Sequence, residues 1–436
     1  MPSFWRNRVV FWAGALAAGA VAVVFAKLAD AAYRLFERMV QADSWWPLLV
    51  TPLAFALLTK LTQGFLRDTR GSGIPQVIAL LEYPNEAFRS RVLSVPMAIG
   101  KMALTLVALL AGASIGREGP SVHVGAALLY CFGRWSGITD PVIQGRLILA
   151  GAAAGLSAAF NTPLAGIVFA IEEMMGAYEH KMSGVLLTAV ILAGVLSVGL
   201  VGNYAYFGTV HASLPLGTAW FAVCVMGIVG GLAGGLFSRL LLPGSHGLPR
   251  LIGSIRRRAP VLFAAVCGAI LVLSSHASGD NLYGTGYEQA RALLEGRPIT
   301  GEWFGPLKLL ANLVSGWATL PGGIFSPALA VGAGLGDAMS TILPRTDATA
   351  VVLLGVAAYL SGVTQAPLTA AIISIELTDN QGMAIPILAV CLLARGVSSL
   401  ICPIPIYKAL AALAVAEAQQ ACALAEGGPG QDPAPR

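Results

Sequence analysis

From Met182 to Ser238 the chain runs for 57 residues without a single aspartate, glutamate, lysine or arginine. A soluble domain carries a charge at about one residue in four, so this stretch cannot be the surface of one. Leu147–Ile171, Leu309–Gly336 and Ala348–Ile375 are equally free of charge. Each exceeds the roughly 20 residues that cross a bilayer as a helix. Apolar segments recur along almost the whole sequence, which is 56% hydrophobic and 11% charged with a mean hydropathy of +0.75. These runs predict an all-α polytopic membrane protein, since a spanning segment must satisfy its own backbone hydrogen bonds.

The remaining composition excludes other classes. Six cysteines (Cys131, Cys224, Cys267, Cys391, Cys402 and Cys422) are scattered without a C-x-x-C spacing, which suggests buried thiols and neither a metal nor a disulfide. No cofactor is implied. The net charge of +5 comes from short basic loops and is no sign of nucleic-acid binding. Arg6, Arg8, Arg89, Arg91 and Arg256–Arg258 mark cytoplasmic loops by the positive-inside rule, with both termini on that side. The first apolar run continues past Lys27, too long for a signal peptide, and reads as a retained helix. The expected organisation is a short cytoplasmic segment 1–8, a first membrane repeat 9–208, a second 209–410 and a cytoplasmic tail 411–436. That tail is too small for a soluble domain, so a regulatory domain would be a separate chain.

The repeat is visible as an ordered series. Ala153-Ala154-Gly155-Leu156-Ser157 returns as Ala357-Ala358-Tyr359-Leu360-Ser361, Pro163-Leu164 as Pro367-Leu368, and Ile171-Glu172 as Ile375-Glu376. Upstream, Pro120 and Val124-Gly125-Ala126 return as Pro327 and Val331-Gly332-Ala333. The offset stays between 204 and 207 residues throughout. Duplicated membrane halves are typical of transporters and channels, which place their site where the copies meet. Glycines at four-residue spacing, such as Gly227, Gly231 and Gly235, suit close helix packing in lipid.

Four segments carry chemistry. Gly116-Arg117-Glu118-Gly119-Pro120 puts one positive and one negative charge at the end of a run, Met102–Gly116, that has none. A carboxylate at membrane depth costs about 2.5–3.5 kcal/mol and is functional by default. Gly71-Ser72-Gly73-Ile74-Pro75 and Gly322-Gly323-Ile324-Phe325-Ser326-Pro327 are further helix breaks, and Ile404-Pro405-Ile406-Tyr407 ends the last apolar segment with a phenol. Helix N-termini converging on such breaks offer free N–H donors and positive dipole ends to an anion. Ser72 and Tyr407 add hydroxyl donors.

GSGIP, GREGP and GGIFSP, in that order and followed by a late tyrosine, resemble the CLC family of chloride channels and proton-coupled chloride transporters. The resemblance extends from about Val9 to Leu410. It implies up to eighteen tilted helices in two inverted-topology repeats, a homodimer with one ion pathway per subunit, and, for the prokaryotic type, a place in the bacterial inner membrane. By resemblance, Ser72, Tyr407 and the backbone amides of Ile324 and Phe325 coordinate chloride. Glu118 matches the gating glutamate that exchanges protons with the outside, framed by Gly116, Arg117, Gly119 and Pro120 as Gly71 and Gly73 frame Ser72. In Phe169-Ala170-Ile171-Glu172-Glu173-Met174, Glu173 matches an internal proton-transfer glutamate and Glu172 its neighbour near the cytoplasmic water entry. Glu172 has a copy at Glu376, whereas Glu173 has Leu377. Lys101 matches a basic position read as structural or electrostatic. The N-terminal helix common in bacterial members looks shortened, and the nucleotide-binding domains of eukaryotic members are not expected.

These readings favour exchange of chloride against protons across the bilayer. A passive chloride channel on the same scaffold is the alternative, and Glu173 argues against it. A fluoride/proton antiporter is less favoured because Ser72 and Pro120 are retained. An intramembrane enzyme would need a nucleophile–base pair, and His123 has neither a cysteine nor an aspartate partner in its motif.

Overall fold

The computed structural model describes residues 3–426, apart from 43–44, 65, 175–182, 203, 216, 218–219, 243–249, 280, 300, 302 and 344–345. The polar end 427–436 and the side chains of Arg6 and Arg8 lie outside the described residues. The first half comprises α1 (Ser3–Ala42), α2 (Trp46–Leu61), α3 (Ile74–Glu82), α4 (Glu86–Val92), α5 (Val95–Leu110), α6 (Glu118–Trp135), α7 (Pro141–Phe160), α8 (Pro163–Phe169) and α9 (Ser183–Val201). The second comprises α10 (Phe221–Leu241), α11 (Arg250–Arg258), α12 (Pro260–Ser278), α13 (Tyr287–Leu294), α14 (Phe304–Trp317), α15 (Phe325–Ser340), α16 (Ala348–Thr364), α17 (Pro367–Thr378) and α18 (Ala384–Ile401), and α19 (Ile406–Glu426) closes the chain. The count of nineteen arises where one bent span is divided, as α4 and α5 are by a 42° bend. Six described helices are long and apolar enough to cross a membrane, and a seventh span follows if that bent pair is one. This is an integral membrane protein.

The same local signals build both halves. Asp140 caps α7 by accepting from the Val142 amide at 2.8 Å, and Asp347 caps α16 by accepting from the Thr349 amide at 3.0 Å. Such caps contribute about 1 kcal/mol each. α7 ends on Asn161 and α16 on Gln365, both left-handed at φ 58°, and a proline then restarts the chain as α8 and as α17. Neighbours match too: α6 packs on α7 as α15 does on α16, and α7 on α9 as α16 does on α18. Close approach at one glycine pair makes the first packing possible. A Cβ on Gly151 would fall 2.7 Å from the carbonyl carbon of Gly125, and on Gly332 would fall 2.5 Å from the carbonyl oxygen of Gly355.

Contacts between the halves are reciprocal. Gly116 and Gly323 exchange both backbone hydrogen bonds, each at 2.7 Å. The Glu172 carboxylate accepts from the amides of Leu368 and Thr369 at 3.1 and 2.6 Å, while Glu376 accepts from those of Leu164 and Ala165 at 3.1 and 2.7 Å. Exchange of equivalent partners is what a twofold relation produces. α6 and α15 begin side by side at the Gly116–Gly323 exchange, and the halves are inverted repeats. Outward faces remain apolar: Ile228, Leu232 and Leu236 on α10 and Leu262, Val266 and Leu273 on α12 are all exposed, as a surface solvated by lipid requires.

Candidate functional site

Backbone hydrogen bonds tie the three glycine-rich breaks together. Gly322 donates to the Gly71 carbonyl at 3.2 Å, and the Gly116–Gly323 exchange joins the loops before α6 and α15. The loop before α3 has no room for a side chain at Gly73. Its φ is +104°, and a Cβ would lie 2.8 Å from the Gly119 carbonyl oxygen and from His123 Cβ. Three helix N-termini thus meet, each with first-turn amides that no intrahelical carbonyl can satisfy.

Side chains complete the arrangement. Ser72 lies so close to the first turn of α6 that a Cβ on Gly119 would overlap its hydroxyl. Tyr407 arrives from the first turn of α19, its ring stacked on Phe325 at 6.0 Å and 9°. Phe325 in turn meets the edge of Phe169 at 5.8 Å. Ser72, Ile324 and Tyr407 line one cavity of about 140 Å³, and Phe325 presents its amide at the first position of α15. The hydroxyls of Ser72 and Tyr407 are buried without a protein partner. A buried polar group left so costs about 1–3 kcal/mol. Two hydroxyl donors, free helix-start amides and space in one place fit an anion.

Glu118 is fully buried as the first residue of α6. The Ser326 hydroxyl donates to its Oε1, while Oε2 has no protein partner. Ser326 was not singled out from the sequence, although the repeat register marks it: it is the copy of Gly119, beside the copy of Glu118. Arg117 turns away from Glu118. Its Nη1 donates to the Ala26 carbonyl at 2.7 Å and pairs with Asp30, fastening the start of α6 to α1. Pro120 occupies the first turn of α6, where a missing N–H costs nothing.

The adjacent glutamates diverge. Ala170–Met174 continues α8 as a π-helical turn, a local form frequent at functional sites. Glu172 points to the start of α17 and caps it, while Glu173 is buried with Oε1 unpartnered. No described hydrogen bond connects Glu173 with Glu118. Lys101 is fully buried on α5 and donates to the Arg70 carbonyl at 3.4 Å, supporting the Ser72 loop from below. Its copy, Lys308, donates to the carbonyls of Leu282 and Gly284 at 2.8 Å and of Tyr283 at 3.2 Å. That loop continues as Gly284-Thr285-Gly286, with both glycines left-handed like Gly71 and Gly73.

Comparison with known proteins identifies the family. The sequence model of the family described as "Voltage gated chloride channel" matches residues 53–399. The chain belongs to the CLC family. Among CLC relatives, the H(+)/Cl(-) exchange transporter ClcA of Yersinia pseudotuberculosis serotype IB is 31% identical over 414 residues, spanning 89% of this chain and 83% of the relative. ClcA of Klebsiella pneumoniae subsp. pneumoniae is 30% identical over 87% of this chain and 83% of its own. The crystal structure of a slow cyanobacterial Cl-/H+ antiporter superposes with a TM-score of 0.82 at 26% identity, covering 95% of this chain and 99% of that one. A CLC-type fluoride/proton antiporter shares the fold at TM-score 0.77 and 23% identity.

Proposed function

We propose that this CLC protein is a secondary transporter that exchanges chloride for protons, and not an enzyme. One observation carries the reading: two carboxylates, Glu118 and Glu173, are buried with an oxygen unpartnered in each, and Glu118 begins α6 where the Ser72 hydroxyl packs against its first turn. Chloride binds at Ser72, Tyr407 and the amides of Ile324 and Phe325. The Glu118 carboxylate competes for the same donors, and protonation removes its charge and its competition. Glu173 receives protons from the cytoplasmic side, and a water chain carries them to Glu118. Arg117, Gly116, Gly119 and Pro120 hold Glu118 in place, while Gly71, Gly73 and Lys101 hold Ser72. The relatives' printed activity supports this reading.

The repeats divide at 208/209, with both termini cytoplasmic and the chain in the bacterial inner membrane. The assembly is a homodimer with one pathway per subunit. The deciding experiment is the reversal potential of purified protein in a bilayer under crossed chloride and pH gradients. An exchanger gives a potential that shifts with pH. A potential set by chloride alone makes the chain a passive channel.

A further inference from the structure

The pseudo-twofold gives the molecule two mouths. Ser72 has its counterpart at Thr285, and Tyr407 has its counterpart at Tyr206, 201 residues earlier. Thr285 and Tyr206 line a second cavity of about 250 Å³ together with Arg117. Its charge is mixed: Arg34 and Arg117 share the walls with Asp30, Glu37 and Glu288, and Arg117 is paired to Asp30. The cavity at Ser72 and Tyr407 differs. Among the described residues Arg256 is the one charged side chain that lines it. Arg256 is half-buried near the end of α11, and no described carboxylate pairs with it.

An unpaired cation in a narrow mouth with low-dielectric walls focuses its field into that mouth and raises the local concentration of anions. We propose that Arg256 recruits chloride to the Ser72–Tyr407 position and sets the apparent affinity from its side of the membrane, a task the opposite mouth, with three carboxylates against two arginines, does not share. The proposal rests on Ser72 and Tyr407 being chloride ligands.

The test is chloride turnover by the full chain in proteoliposomes, read against chloride concentration at low and high ionic strength. Arg256→Gln is expected to raise KM for chloride about three- to ten-fold with kcat nearly unchanged, the low end of what such fields achieve. Arg256→Lys should restore KM, because charge and not shape does the recruiting. Arg257→Gln, an exposed neighbour, should change KM less than about two-fold if local focusing dominates. In the unaltered protein KM should rise as added salt screens the mouth. A KM insensitive to ionic strength overturns the proposal without any variant. So does an unchanged KM in Arg256→Gln, a lysine that fails to restore it, or an equal effect at Arg257. Calorimetry separates the two levels: unchanged chloride affinity in Tyr407→Ala removes the underlying site, whereas a weakened Tyr407→Ala with a normal Arg256→Gln removes the recruiting role alone.

Discussion

At the start of α6 the chain places Glu118, and at the same position of α15 it places Phe325. At the end of α8 it places Glu172 and Glu173; at the matching end of α17 it places Glu376 and Leu377. Much of the scaffold around these positions is shared. The aspartate caps, the left-handed Asn161 and Gln365, the buried Lys101 and Lys308 and the Gly116–Gly323 exchange occur once in each half. The difference separates two kinds of charge. Charges present in both halves hold the scaffold, and each has backbone partners. Two carboxylates found in one half alone, Glu118 and Glu173, are buried with an oxygen unpartnered. Keeping a lone carboxylate at membrane depth is costly, so selection for packing would not have added them.

The comparison breaks first at Glu118. Glu118→Gln should reduce proton flux in liposomes to background while chloride still passes; proton-coupled flux that persists would return Glu118 to the scaffold. Glu173→Ala should likewise stop proton movement and leave chloride moving, more slowly. Undiminished proton flux there would make Glu173 a charge at a helix end, no different in kind from Glu376. Tyr407→Ala should weaken chloride binding about ten-fold by calorimetry, the value of one hydrogen bond to a charged group. The counterpart change Tyr206→Phe should leave that affinity within about two-fold, since it deletes a hydroxyl that lines the second cavity and not the one at Ser72.

The fold was legible because its signals are local. Glycine, proline and an isolated charge within an apolar run announce a break wherever they fall, and a constant offset ties one break to another. Such signals mark Ser72, Glu118 and Tyr407 as candidates, and the break at 322–327 as a further one; the parts assigned to Ile324 and Phe325 within it come from the family resemblance. Tertiary partners could not. Arg117 stands next to Glu118 in the chain, yet it pairs with Asp30, 87 residues away on α1. Ser326 binds Glu118 across 208 residues. Glu172, expected beside the proton entry, spends both carboxylate oxygens on α17, 196 and 197 residues away. Such partners follow from how the copies dock, which spacing along the chain does not encode.

Glu172 therefore offers the finest test of the comparison. Its two amide contacts mirror those of Glu376 so closely that the scaffold reading predicts equal effects. Loss of a charged cap should cost about 1 kcal/mol at either position. The charge itself is at stake, because a carboxylate at a helix N-terminus also meets the positive dipole end, worth about 0.3–1 kcal/mol. Glu172→Gln and Glu376→Gln should thus lower the thermal midpoint of the detergent-solubilised protein by similar small amounts, with the chloride-to-proton ratio unchanged in both. A ratio altered by Glu172→Gln but not by Glu376→Gln would break the equivalence at its most symmetric point. Glu172 would then serve the proton route as well as the helix it caps, and the functional asymmetry between the halves would extend to both glutamates of the π turn.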